Sequence, residues 1–133
     1  MLGWVGNVEQ ETLDNETFRT VVFTGEHMQL TVMRLAPGED IGREVHPDTD
    51  QFLRVEQGTG RLELSRSEDT VDETHDVGAD WAMIIPAGFW HNVVNTGDVE
   101  LKLYSIYTPP EHPDGTVHRT KAEAEAAEAE HHG

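Results

Sequence analysis

The chain has 133 residues, 36% of them apolar, no cysteine, and a formal charge of −17 from 26 acidic against 9 basic side chains. That length fits one domain with a real core, and the missing cysteines exclude disulfides, thiolate metal sites and cysteine nucleophiles. The acidity argues against nucleic acid and anionic membranes as partners, and no apolar run approaches the roughly 18 residues needed to cross a bilayer.

The N-terminal arm, 1–17, begins "MLGWVGNVEQE". It lacks the basic region and long apolar stretch of a secretion signal, so the cytoplasm is the expected compartment. The arm is read as a strand that could be added to a neighbour's sheet, because exposed strand edges invite pairing. "FRTVVFTG" and "MQLTVMRLAPG" follow, rich in β-branched residues and ending on Gly25 and Pro37-Gly38, the signature of strands closed by turns. "QFLRVEQGTGRLELS" reads as two strands joined at Gly58-Thr59-Gly60, with Leu53, Val55, Leu62 and Leu64 at alternating positions. Residues 65–77 are too polar for a core strand and read as a loop or a frayed edge. "WAMII" stops at Pro86, "HNVVN" runs into the turn "TGD", and "ELKLYSIYT" alternates again, Leu101 and Leu103 sharing a face with Tyr107. About eight strands in about 100 residues, with no helical pattern between them, predict an all-β antiparallel sandwich or barrel over 18–108.

Residues 109–120 contain "EHPDGTVH", with His112 and His118 about a Pro-Asp-Gly turn. The segment is read as a surface turn, with a lid across the barrel mouth as the alternative. The acidic tail, 121–133, has high helix propensity but no apolar face beyond alanine, so it is expected as a solvated helix or as disorder. His131 and His132 are read as incidental there. The tail sets Lys121 against four glutamates, so most of the negative charge belongs to the body. Two explanations fit: adaptation to a salty cytoplasm, where carboxylate repulsion is screened, or ordinary acidic solubility.

A polar crowd interrupts the strands in "IGREVHPDTDQFLRVEQG". Strand alternation puts Glu44 and His46 on one face. Pro47, Asp48 and Thr49 make a turn or bulge, and Gln51 falls on the face of Leu53 and Val55. The trio then points into the interior, where unpartnered polar groups cost several kcal/mol. A divalent cation is a natural partner for all three.

From Gly38 to Gly58 the chain resembles the first cupin motif, G-x5-H-x-H-x3,4-E-x6-G, with Gly38, Glu44, His46, Gln51 and Gly58 in register. "DWAMIIPAGFWHNVVN" resembles the second, G-x5-P-x-G-x2-H-x3-N, through Pro86, Gly88, His91 and Asn95. The resemblance implies a small single-domain cupin, a jelly-roll β-barrel over 18–108 that holds one divalent transition metal per chain, and it implies a homodimer. Three departures stand out: Glu44 replaces the first histidine, Gln51 the glutamate, and Asp80 the glycine of the second motif. Carried over, the ligands are Glu44, His46, Gln51 and His91, a harder set than three imidazoles and a carboxylate, which favours Fe, Mn, Ni or Zn. Asp50 is the alternative to Gln51 if a bulge shifts the register. Glu44 has a second reading as a general base standing off the metal.

Trp81, Phe89 and Trp90 are expected mainly in the core. His27 and His75 are expected at the surface, and Arg43 and Arg54 face away from the interior. The resemblance implies an enzyme acting on a small organic substrate, with the metal as Lewis acid or dioxygen site. Isomerase, dioxygenase, decarboxylase and lyase chemistry all remain open. The alternative is a non-catalytic barrel that binds or senses a small molecule.

Overall fold

The computed structural model describes residues 2–132, with side chains as far as residue 129; the side chains of His131 and His132 therefore lie outside the described residues. The strands are β1 (Arg19–Thr24), β2 (Gln29–Leu35), β3 (Asp50–Gln57), β4 (Thr59–Ser65), β5 (Glu73–Gly78), β6 (Ala82–Ile85), β7 (Trp90–Asn95), β8 (Leu101–Thr108) and β9 (Val117–His118), with helices α1 (Val8–Asp14) and α2 (Lys121–His132) at the two ends. A six-stranded sheet runs β6-β3-β8-β2-β1-β9 and a three-stranded sheet runs β5-β4-β7, with antiparallel pairing throughout.

Alternation decides what lies between the sheets. On β3, Gln51, Leu53 and Val55 turn inward and are at most 2% exposed; on β8, Leu101, Leu103, Ser105 and Tyr107 do the same. The register sets Gln51 opposite Tyr107 and Leu53 opposite Ser105. Leu62, Val77 and Val93 face them from the smaller sheet. Each apolar side chain so buried contributes about 1.5–3 kcal/mol. The result is the predicted jelly roll, with apolar packing at one end of the interior and polar groups at the other.

The two strands joined at Gly58 lie in different sheets, so this link is a crossing between layers rather than a paired hairpin. Only one residue separates β3 from β4. Gly58 has φ +92°, and a Cβ there would sit 2.8 Å from the Glu100 carbonyl oxygen, so glycine alone fits. Residues 38–44 extend the smaller sheet irregularly: the amides of Gly38, Ile41 and Glu44 donate to the carbonyls of Asn95, Val93 and His91. Asn95, the last residue of the second motif, pins this corner, its amide donating to Leu35 O and Val99 O and accepting from Gly97 N.

One expectation is corrected and two are borne out with added detail. Residues 8–14 of the arm form α1 rather than an added strand: Asn7 caps it by accepting from Gln10 N, and Glu9 and Glu11 sit in the first turn, where the helix dipole favours them. The helix is tied to β8 by the Lys102 ammonium, which donates to Leu13 O. Within 65–77, residues from Glu73 form β5, an edge strand whose exposed side chains explain its polar composition. The tail is the expected helix, largely exposed, and it touches the body near its start: Thr120 and Glu123 cap α2 reciprocally, Lys121 pairs with Asp40, and Ala124 is buried against the core. No described helix is long and apolar enough to cross a membrane.

Candidate metal centre

The polar end of the interior is assembled by the ladder between residues 38–44 and β7. Glu44 and His91 exchange backbone hydrogen bonds, 3.0 and 2.9 Å, which holds their side chains adjacent. The turn at Pro86–Gly88 is fastened beneath: Gly88 N donates to His46 O, and Ala87 N to the Asp50 carboxylate. Asp50 is thereby spent at the exposed surface, and Gln51 is the inward residue.

Glu44 Oε1 lies 3.3 Å from His46 Nε2 and 3.6 Å from His91 Nε2. One donor atom from each of these three residues falls within 4.8 Å of the others. His46 is 7% exposed and His91 2%. Both imidazoles are oriented through their other nitrogen: His46 Nδ1 is 3.0 Å from Glu111 Oε1, and His91 Nδ1 is 3.2 Å from Phe89 O. A proton on each Nδ1 leaves the Nε2 lone pair free, the arrangement that orients histidines toward metals. Both Nε2 atoms are buried without a hydrogen-bond partner, and so is Gln51 Oε1. Gln51 donates through its amide nitrogen to Ser105 Oγ at 3.3 Å.

Electrostatics favour a cation here. Burial would push the Glu44 carboxyl up, but the two imidazoles outweigh it and hold it well below the usual range. Burial would push His46 down, but the Glu111 carboxylate at its Nδ1 and the negative charge of the adjacent Glu44 together outweigh it and raise it to about 9. Two carboxylates that hold a proton on one imidazole would stabilise a cation in the same place. Burial drives the Tyr107 phenol up, so it stays protonated; its ring stands 5.8 Å from that of His46.

The structure thus brings Glu44, His46 and His91 together, with Gln51 buried on β3 of the other sheet. The donors fit a divalent cation because three of them are otherwise orphaned, a state worth several kcal/mol of lost solvation. An open cavity of about 720 Å³ reaches Glu44 and His46 and is walled by Glu111, His112, Thr116 and α2. Residues 113–116 form an exposed turn, as expected, closed by Thr116 N on Pro113 O, and residues of the same segment line the cavity. Trp81 is 58% and Phe89 37% exposed, against the expectation of a core position. His27 and His75 are at the surface, each beside a glutamate. Arg43 and Arg54 point away from the cavity, bonded to Ser65 and Asp80 respectively.

Sequence reasoning passed over Glu111 and Arg19. Arg19 did carry a signal, since it shares the inward face of its strand with Val21, two positions on.

The family model of the cupin domain matches residues 31–107. The chain belongs to the cupin family. It is 55% identical over 125 residues to the Bacillus subtilis protein YrkC, itself described as uncharacterized, covering 94% of this chain and 67% of that one. It is 36% identical over 90 residues to the Streptomyces cyaneus protein CurC, described as a polyketide synthase, covering 68% of this chain and 53% of the other. A solved structure from Bacillus halodurans superimposes with a TM-score of 0.91 at 54% identity, covering 92% of this chain and 93% of that one.

Proposed function

We propose that this cupin binds one divalent transition metal through Glu44, His46, His91 and the amide oxygen of Gln51, and acts on a small organic substrate that enters through the cavity. The observation that carries the reading is the set of buried, unpartnered donor atoms, His46 Nε2, His91 Nε2 and Gln51 Oε1, beside the Glu44 carboxylate. Two imidazoles with oxygen donors suit iron(II), manganese(II), nickel(II) or zinc(II). Such an ion supplies Lewis acidity or a dioxygen site.

The chain's own residues have distinct tasks. Glu111 and the Phe89 carbonyl fix the two rings. Tyr107 keeps its proton and so remains a donor at the site. Residues 110–118 limit water at the mouth. Glu44 is assigned to ligation rather than proton abstraction because one of its oxygens faces both free Nε2 atoms. The likeness to CurC supports an enzyme acting on a small organic molecule, and pairing with a second copy fits the exposed Trp81 and Ile84 beside and on edge strand β6.

Elemental analysis of untagged protein should give close to one metal ion per chain. Glu44→Ala, His46→Ala and His91→Ala should each lose most of it while remaining folded by circular dichroism. Equal metal content in all four proteins would refute the site, and sedimentation of the same samples as monomers would refute the pairing.

A further inference from the structure

A second group of polar side chains borders the same cavity from β1, β9 and the 109–120 segment. Arg19 is only 6% exposed, yet it lines the cavity. Its Nε has no hydrogen-bond partner, and among the described residues no carboxylate is paired with it. Its guanidinium carbon lies 5.4 Å from the Phe18 ring, a contact that leaves the charge without a counter-ion. His118 stands opposite Arg19 in the strand register. His118 Nδ1 and His112 Nε2 are likewise buried without partners, and both residues line the cavity.

Other basic groups are satisfied differently. Lys102 is closed off by Leu13 O, and Arg43, whose Nε is also unpartnered, has its Nη2 on Ser65 Oγ and the carbonyls of Ser67 and Thr70. A buried, unpaired guanidinium is costly, so its place on a cavity wall points to a ligand that supplies the missing anion. The neighbouring carboxylates are committed elsewhere: Glu111 is engaged by His46 Nδ1 and Thr49 Oγ1, and Glu44 faces the two Nε2 atoms. Glu128, exposed on α2, also borders the cavity.

We propose that the ligand of this cavity is a small organic carboxylate, its carboxylate on Arg19 and its other end toward Glu44, His46 and His91. The orientation rests on the metal-centre reading; the anchoring by Arg19 does not. One guanidinium fork matches one carboxylate. His112, pushed down to about 3 by burial and then by Arg19, offers a neutral imidazole. A phosphate dianion would meet Glu44 and Glu111 at short range and a formal charge of −17 on the whole chain, with Arg19 as the one arginine or lysine among the described residues of the cavity wall.

The test is binding of acetate, benzoate, uncharged benzamide and inorganic phosphate to the chelator-treated full chain, followed by ligand-observed NMR titration. Acetate or benzoate should bind, and Arg19→Gln should weaken that binding by about 10- to 100-fold. Arg19→Lys, which keeps the charge but loses the fork, should weaken it several-fold and serves alone should the glutamine variant not fold. Benzamide should bind weakly and be indifferent to Arg19. The proposal is overturned by absence of carboxylate binding, by unchanged carboxylate binding in both Arg19 variants, by parallel losses for benzoate and benzamide, or by phosphate binding more tightly than benzoate. His91→Ala should lose metal yet keep Arg19-dependent benzoate binding, so failure of the metal reading shows in metal content and failure of this one in the Arg19 dependence.

Discussion

The two walls of the cavity are built by different physics. The floor, Glu44, His46, Gln51 and His91, stands on strands or beside a strand ladder whose inner faces continue into Leu53, Val55, Leu101 and Leu103, all 0% exposed. The roof, residues 110–118, is fastened by polar contacts: Gln29, the Glu111 carboxylate on His46 and Thr49, the Thr116 carbonyl on Val21 N, and a two-residue strand. Gln29, 0% exposed, donates to His112 O at 2.7 Å and accepts from the amides of Glu111 and His112 at 3.2 and 3.0 Å. β9 adds two register pairs with β1. A floor with many apolar neighbours opens only with global unfolding, whereas a roof held by a few polar contacts can open locally. On the proposed reading, the groups that would hold a metal stand on the stable wall and the segment a ligand would pass belongs to the weaker one.

The sharpest test of that contrast is a pair of truncations. Leu103→Ala should cost about 2–5 kcal/mol in denaturant titration, because it removes buried methyls and leaves a cavity between the sheets. Gln29→Ala should cost about 1–3 kcal/mol, chiefly by stranding the amides of Glu111 and His112. Its signature should be local: amide exchange in 110–118 accelerates while exchange in β3 and β8 does not. If Gln29→Ala accelerated exchange uniformly, roof and floor would be one cooperative unit and the contrast would be broken.

Next in size is the link between the walls. Glu111 belongs to the roof, yet its carboxylate orients a floor imidazole, His46. Glu111→Gln should weaken zinc binding by about 10- to 100-fold in chelator competition, with little change in the stability of the metal-free protein. Unchanged zinc affinity would mean that the two walls act independently.

The same division explains what the sequence could disclose. Floor residues were legible because each lies at a set spacing from a glycine or proline that the fold requires, as Gln51 does from Gly58, and because strand alternation says which side chains turn inward. Roof residues had no such frame. Glu111 reaches His46 across 65 positions of chain, through a loop whose path depends on Gln29, and nothing in "PPEHPDG" encodes that contact. The arm was misjudged for a more local reason: Asn7, three residues before Gln10, is an N-cap signal that its strand reading overlooked. α2 lacked an apolar stripe because its docking needs little more than Ala124 and the pairing of Lys121 with Asp40.

That last contact carries the smallest expected effect and a pH dependence of definite sign. Burial alone would raise the Asp40 carboxyl, but hydrogen bonds from Lys121 and Asn92 outweigh it and hold its pKa below 3.8. As pH falls, the unfolded chain therefore takes up this proton before the folded one does. The stabilisation is complete above the unfolded value and is lost as pH drops through the lower folded value. Asp40 and Lys121 are 31% and 26% exposed, so water screens the pair and it contributes about 0.3–1 kcal/mol. Wild type should melt about 1–4 °C above Asp40→Asn at pH 7, with the gap closing as pH falls below about 4. A gap that persisted undiminished at pH 2, or none at pH 7, would show that the Asp40–Lys121 charge pair does not hold α2 to the barrel.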